Sequence, residues 1–414
     1  MDNANANAKN TYNYVLTRFL YIKDEVELSL ITALLKKENL QECYYWAFEL
    51  YYSGFDIFQL MWKIYFDFYY ELNPIMEDYI IKKQSLWQAS ADAVHIASVI
   101  RNLFRLKSTS STFILRHYMK CDIVPTIIYS LQSIKKAQWL SIYPSNYHKL
   151  LLSINHGHVE NTCYYIKHLI DDGAEVDIIR KMIINFIKPS LIDLGLEMEK
   201  EINLFERKWV MRKYDNDLHY LLAFICHLQT PISILNKCNI FVTPKVDDMD
   251  FINKVENEPI PLTHRQGIQI YNTLSFKRYF RICDKIGSFK LARWFICDAS
   301  YAHFLKKNWF HWEYYAAIGC PLWQERLKKC GGITDHDKQA IIFPSDKDKD
   351  EDEDETNKEQ FYNLYAYEFD EQPKNIQMMS HCELVKQKWQ EWYNDVFVEQ
   401  PLVVLNDDFE FTEY

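Results

Sequence analysis

The strongest pattern along the chain is apolar residues recurring at intervals of three and four, broken by helix-capping residues. Leu28, Ile31, Leu34 and Leu35 share one helical face behind Asp24 and Glu27, which stand in a capping-box spacing. Asn39 with Glu42 repeats that spacing and opens a second helix, which Gly54 closes. Asp56 with Gln59 opens a third, aromatic-rich helix expected to end at Asn73-Pro74, because the residue before a proline is disfavoured in the α region. Antiparallel helices joined by short turns are therefore expected from Asp24 to Pro74.

The same hairpin recurs. Cys43-Tyr44-Tyr45 followed by Gly54 can be laid on Cys163-Tyr164-Tyr165 followed by Gly173 and an apolar stretch from Val176 to Ile187. A looser third copy runs from Ile286 through Trp294 and Phe295. Stacked helix pairs build solenoids, but these copies sit at irregular intervals. The expected fold class is all-α, made of packed helix hairpins, with an irregular α-solenoid as one arrangement of them.

Breaks in the pattern divide the chain. Residues 1–240 read as a helical-hairpin body and 241–262 as a loop or boundary, where Pro244, Pro259 and Pro261 flank an acidic stretch. Thr263 with Gln266 restarts a helix and opens a basic, aromatic-rich helical segment over 263–343. Residues 344–360 hold the run Asp346 to Glu355, almost purely charged, and read as an acidic disordered linker. Residues 361–414 form an acidic-aromatic C-terminal tail with one helix, opened by Ser380 and Glu383 and carrying Trp389, Trp392 and Phe397. On this reading the body would fold alone up to Phe343 and the tail would be detachable.

Composition sharpens the picture. The chain of 414 residues has only 9 glycines, about 2% where ~7% is usual, while aromatics reach 16%. Few glycines leave few positions of positive φ, which argues against tight hairpins and glycine-rich phosphate loops. The most apolar window, Tyr44 to Tyr70, is interrupted by Glu49, Asp56, Lys63 and Asp67, so no membrane span is expected. The first ten residues have no apolar signal core, and the ten cysteines show no paired spacing, which fits reduced thiols in a cytosol-like compartment. The net charge of −10 conceals a division: Pro344 to Tyr414 holds 20 acids against 6 bases, a net −14, and leaves the preceding residues at +4.

Several chemistries lack their residues. None of the glycines forms a P-loop or a G-x-G-x-x-G fingerprint, and neither G-x-S-x-G nor H-E-x-x-H occurs. Two groups come nearest to a zinc site: His156, His158, Cys163 and His168, and then His311, Cys320, Cys330 and His336. Neither supplies the close ligand pairs that a structural zinc needs. No catalytic residue, cofactor or metal is expected.

Two basic stretches interleaved with aromatics are more suggestive. Lys277, Arg278, Arg281, Lys285, Lys290, Arg293, Lys306 and Lys307 are opposed only by Asp284 and Asp298, with Tyr279, Phe280, Trp294 and Phe295 among them. From Arg101 to Lys149 there are eight bases, including Arg105, Lys107 and Arg116, opposed only by Asp122. Cations neutralise phosphates and aromatics stack on unpaired bases, so nucleic acid is one reading. The other is that the aromatics are core and the bases are the solvated faces of the same helices. In the tail, Phe409 and Phe411 among acids form a candidate partner motif, which could also fold back and mask the basic body.

The stretch Ser29 to Pro74, centred on Cys43-Tyr44-Tyr45-Trp46-Ala47-Phe48-Glu49-Leu50-Tyr51-Tyr52-Ser53-Gly54-Phe55, resembles an uncharacterised family of nucleocytoplasmic large DNA viruses. The Asn-, Ile-, Lys- and Tyr-rich, glycine-poor composition is similar to giant-virus proteins. The resemblance implies a compartment, infected-cell cytoplasm or virion, and no chemistry. The same stretch is similar to the helical collar of clamp-loader-like ATPases in its Tyr-Tyr-Trp run, Gly-Phe-Asp turn and Asn-Pro stop, but no ATPase module precedes it and that activity is not carried over. The expected function is a non-enzymatic helical interaction or scaffold protein with a protein partner, a viral accessory or virion-associated component. The alternative is a nucleic-acid-associated factor in viral replication or transcription.

Overall fold

A computed structural model describes residues 15–21, 23–119, 125, 127–129, 142–190, 196–211, 216–230, 240–256, 278–286, 289–295, 312–338, 340–343, 351–365 and 405–413. Among these, helix far outweighs strand, as the sequence pattern requires: there are fifteen helices and five strands. None of the described helices is long and apolar enough to cross a membrane.

The first five helices are α1 (Lys23–Lys36), α2 (Leu40–Tyr52), α3 (Ile57–Phe68), α4 (Met76–Ser90) and α5 (Ala93–Arg105). Caps set their limits much as the sequence suggests. Asn39 accepts from Gln41 N at 2.9 Å, and Asp56 accepts from Phe58 N and Gln59 N at 3.0 and 3.1 Å. α1 starts at Lys23, ahead of Asp24, so Asp24 lies inside the helix and is not its cap. Glu42, three residues after Asn39, also accepts from Trp46 Nε1 at 3.3 Å. α3 stops at Phe68 with turns carrying the chain to Pro74, held by Tyr65 Oη donating to Asn73 O and Asn73 Nδ2 donating to Lys107 O.

The recurrent hairpin has a structural counterpart in its turn. Gly54 and Gly173 both have φ of +88°. Phe55 N donates to Leu50 O and Ala174 N to Leu169 O, the six-to-one bond of a Schellman cap. Cys43 and Cys163 are both buried on the helices that precede these turns, α2 and α8 (Val159–Asp171). Gly54 has a second constraint, since a Cβ there would lie 2.8 Å from Pro321 Cβ. The third copy is different in kind, because Ile286 ends one strand and Phe289–Phe295 form another. Sequential pairs α1/α2, α4/α5 and α7/α8 pack side by side, α7 being Ser145–Asn155.

The aromatic excess fills the core. Trp46, Trp62, Tyr44, Tyr45, Tyr65 and Tyr69 are all fully buried. Further along come α6 (Ser111–Tyr118), α9 (Val176–Ser190), α10 (Leu196–Met211) and α11 (Asp217–Gln229), and the α11 residues Tyr220 and Phe224 lie against Phe205 of α10, the Phe205 and Phe224 rings stacked at 3.6 Å.

The boundary expected over 241–262 is corrected for its first part. Residues 241–245 have no regular secondary structure and 246–256 form α12 (Val246–Glu256), with Ile252 and Val255 buried. Asp247 and Asp248 fall in its first turn, where carboxylates suit the positive end of the helix dipole. Residues 257–262 lie outside the described residues.

The segment 263–343, expected to be helical, is mixed. Strands β1 (Arg278–Ile286) and β2 (Phe289–Phe295) pair antiparallel, with Ile286 opposite Phe289, so that only Gly287-Ser288 separates them. Two helices follow, α13 (Trp312–Gly319) and α14 (Pro321–Lys329), and a short ribbon of β3 (Ile333–Asp335) and β4 (Ala340–Ile342).

The acidic linker is corrected as well. A helix, α15 (Glu351–Tyr365), covers half of the charged run. Its first five positions are all Asp or Glu, the signs favoured at a helix N-terminus. Its far end carries buried Phe361, 5.6 Å from Phe343 and 6.2 Å from Trp323 between ring centres. Arg326 lies between the Trp323 and Tyr365 rings, at 4.7 and 4.9 Å. The helix expected from Ser380, with Trp389, Trp392 and Phe397, and the one expected from Thr263 lie outside the described residues. The last element, β5 (Leu405–Glu413), pairs antiparallel with β1, giving the order β2-β1-β5.

Candidate interaction site

The best-defined contact geometry lies where residues 240–256 pack on α2, α4, α5 and Arg18. Asn102, buried on α5, reads the main chain of Val242 from both sides: its Oδ1 accepts from Val242 N at 2.9 Å, and its Nδ2 donates to Val242 O at 2.8 Å. The neighbouring Phe241 ring stacks on Tyr79 of α4 at 4.3 Å. Arg101 pairs with Asp248, which also accepts from Lys245 N and so caps α12. At the other end, the Arg18 guanidinium donates to Val255 O at 2.5 Å and Glu256 O at 3.2 Å, placing a cation at the negative end of the helix dipole.

Arg18 is itself fixed by α2. Its Nε lies 3.0 Å from Glu49 Oε2 in a fully buried ion pair, and Glu49 Oε1 accepts from Phe19 N. Burial pushes the Glu49 carboxyl up despite the opposing pull of Arg18. The contact therefore joins an aromatic platform, an amide that copies a backbone partner, and two arginines, all between residues 18 and 102, to a segment 140 to 238 residues away in sequence.

A second buried polar line holds the α3–α4 connection. Asp67 takes a two-pronged contact from Arg116, Nε to Oδ1 at 2.9 Å and Nη2 to Oδ2 at 2.7 Å, and His219 Nε2 lies 2.9 Å from Oδ1. Glu71 accepts from Thr109 and Thr230 hydroxyls at 2.6 and 3.0 Å. Glu77 takes Lys208 Nζ at 3.2 Å and the Tyr220 hydroxyl at 3.0 Å. Burial would raise Asp67, but Arg116 and His219 outweigh it and hold the carboxyl well below the usual range. Burial does raise Glu77, with Lys208 only partly offsetting it. An Asp–His pair at this distance has the look of an acid–base dyad. The pair is sealed in the core, where it ties α3 to α6 and α11.

The basic stretch from Arg101 to Lys149 divides. Arg101 and Arg116 are spent on Asp248 and Asp67, Lys149 lies over the Tyr165 ring, and Arg105 and Lys107 are exposed. Lys120, Lys135 and Lys136 lie outside the described residues. Of the second group, Lys277, Lys306 and Lys307 also lie outside them, while Arg278, Arg281 and Lys285 fall on β1 and Lys290 and Arg293 on β2.

Strand alternation divides these five. Directly paired residues share a face, and Arg281 is opposite Trp294 as Lys285 is opposite Lys290. Arg278 and Arg293 fall on the other face, with Phe280 and Ile282. Phe411 stands opposite Phe280, whose other neighbour is Phe295, so three aromatics align across the strands. Phe409 lies where the pairing slips, between Glu410 opposite Arg281 and Leu405 opposite Ile282.

Of the two zinc-like groups, His311 lies outside the described residues. Cys163 and Cys320 are buried and directed at Leu115 O and Ser53 O; His158 Nδ1 meets the Tyr129 hydroxyl at 2.6 Å, and His336 meets Tyr314 at 2.9 Å. Among the described residues no group of three His, Cys, Asp or Glu is placed to hold a metal. No protein-family model, curated protein or solved structure matches the chain.

Proposed function

We propose that the chain is a non-enzymatic helical interaction or scaffold protein, a viral accessory or virion-associated component in the infected-cell cytoplasm or the virion. The docking of 240–256 carries this reading. The first five helices recognise a segment by its backbone at Val242, by an aromatic at Phe241 and by an acid at Asp248. Those are the means by which proteins take up peptides, with main-chain bonds for affinity and side-chain sites for specificity.

Charge reversal tests it. Asp248→Arg should loosen the segment, and the protein carrying it should bind a synthetic peptide of residues 240–256 at least about tenfold more tightly than wild type, whose groove is filled; a tenfold change corresponds to about 1.4 kcal/mol. Adding Arg101→Glu to Asp248→Arg should re-form the pair and close the groove again. If neither the single variant nor wild type binds the peptide, the groove is packing only and the reading fails.

A second reading, a nucleic-acid-associated factor in viral replication or transcription, is favoured by one observation. Arg281, Lys285 and Lys290 share a sheet face with Tyr279 and Trp294, a combination suited to phosphates and unpaired bases.

A further inference from the structure

We infer that the β1–β2 face carrying Tyr279, Arg281, Lys285, Lys290 and Trp294 is a single-stranded nucleic-acid site, and that the acidic strand β5 is its built-in competitor. The inference rests on the second reading above and adds a regulatory element to it.

Two independent observations converge. The first is register. β5 lies along the free edge of β1, with Glu413 opposite Arg278 and Glu410 opposite Arg281. Opposite charges in direct cross-strand register favour the pairing, and Glu410 stands on the same face as the three cations. The second is charge distribution, which needs no register. The bases from Lys277 to Lys307 outnumber the acids eight to two, whereas the chain from Pro344 onward is at −14 and ends in Asp407, Asp408, Glu410 and Glu413. A strand bearing carboxylates beside a cationic face offers it what a phosphate backbone would offer.

The ligand class follows from the residues. Three cations on one face supply phosphate contacts, and each phosphate neutralised releases condensed counterions, so binding should weaken steeply with salt. Two aromatics on that face would favour strands whose bases are unpaired and free to stack. β5 adds a cost to binding that a polyanion must overcome, and its pairing in turn shields the edge of β1, which would otherwise expose unpaired backbone groups.

The test is binding of a labelled oligothymidine of about 20 nucleotides, long enough to span a typical single-strand site, to the full-length chain at low salt. Asp407→Asn, Asp408→Asn, Glu410→Gln and Glu413→Gln together should raise affinity by about tenfold or more and leave a steep salt dependence. The control removes the same charge elsewhere: Glu351→Gln, Asp352→Asn, Glu353→Gln and Asp354→Asn together should change affinity by less than about twofold if position matters beyond net charge. Within the first variant, Arg281→Gln, Lys285→Gln and Lys290→Gln should abolish the gain. Equal gains from both quartets would overturn the masking role while leaving the nucleic-acid reading intact. Absence of binding by wild type and by both neutralised variants would overturn the site itself. A duplex bound as well as the single strand would remove the role given to Tyr279 and Trp294.

Discussion

Replacing Asp67 with alanine should destabilise the protein by about 3–5 kcal/mol, the cost usual for breaking a buried pair and leaving its partner charge uncompensated. Arg116 would lose both prongs of its contact, and His219 would lose a carboxylate 2.9 Å away. Denaturant titration of both proteins gives the difference directly. The pH dependence has a definite sign. Because the folded Asp67 carboxyl is held below its usual range, its contribution is complete above the unfolded value and is lost as pH falls through the folded one. The raised Glu77 and Glu49 act oppositely: the folded state binds their protons more readily, so their ionisation erodes stability as pH rises. Asp67→Asn should therefore flatten the acid limb of the stability profile, and Glu77→Gln should not. A small loss on Asp67→Ala, within about 1 kcal/mol, would place the site among groups whose removal the core absorbs.

Ending the chain at Phe343 should lower its melting temperature by several degrees, against the expectation of an independent body. The truncation removes Phe361, 1% exposed and packed on Trp323 and Phe343, and takes Tyr365 from Arg326. Phe361→Ala alone should cost about 3–5 kcal/mol, the range for a buried aromatic. Thermal melts of the full chain, the Phe361→Ala variant and the fragment of residues 1–343 separate the cases. The point variant should account for most of the fragment's loss. If the fragment melts with the full chain, α15 contributes nothing to the body and the aromatic cluster is surface decoration.

What could be read in advance was local. Asn39, Asp56 and Gly54 announce their caps because the physics of a helix end is contained within a few residues. The partners of Asn102 could not be read, since Val242 lies 140 residues away and nothing near an asparagine in mid-helix records what its amide will meet. Asp67 is the same: Arg116 and His219 reach it from different helices. α12 was obscured by prolines around an acidic run, although Ile252 and Val255 at helical spacing marked its buried face. The β1–β2 hairpin does carry a signal in the sequence. Phe280, Ile282 and Ile286 alternate with Tyr279, Arg281 and Lys285, and Gly287-Ser288 is a two-residue connection of the kind that joins strands. Scarcity of glycine argued against hairpins in general, yet a single glycine suffices for one.

The distance between the groove and its occupant also fixes an order of events during synthesis. The recognition residues Arg18, Glu49, Tyr79, Arg101 and Asn102 have all been made once residue 105 emerges, whereas α12 ends at Glu256. At about 5–20 residues per second, roughly 8–30 seconds separate the making of these residues from that of the segment that packs on them. During that interval Arg18 already has Glu49 beside it, whereas Arg101 precedes its acid, Asp248. If these residues take up peptides as proposed, an acidic, aromatic-led segment would have that interval in which to bind without competition.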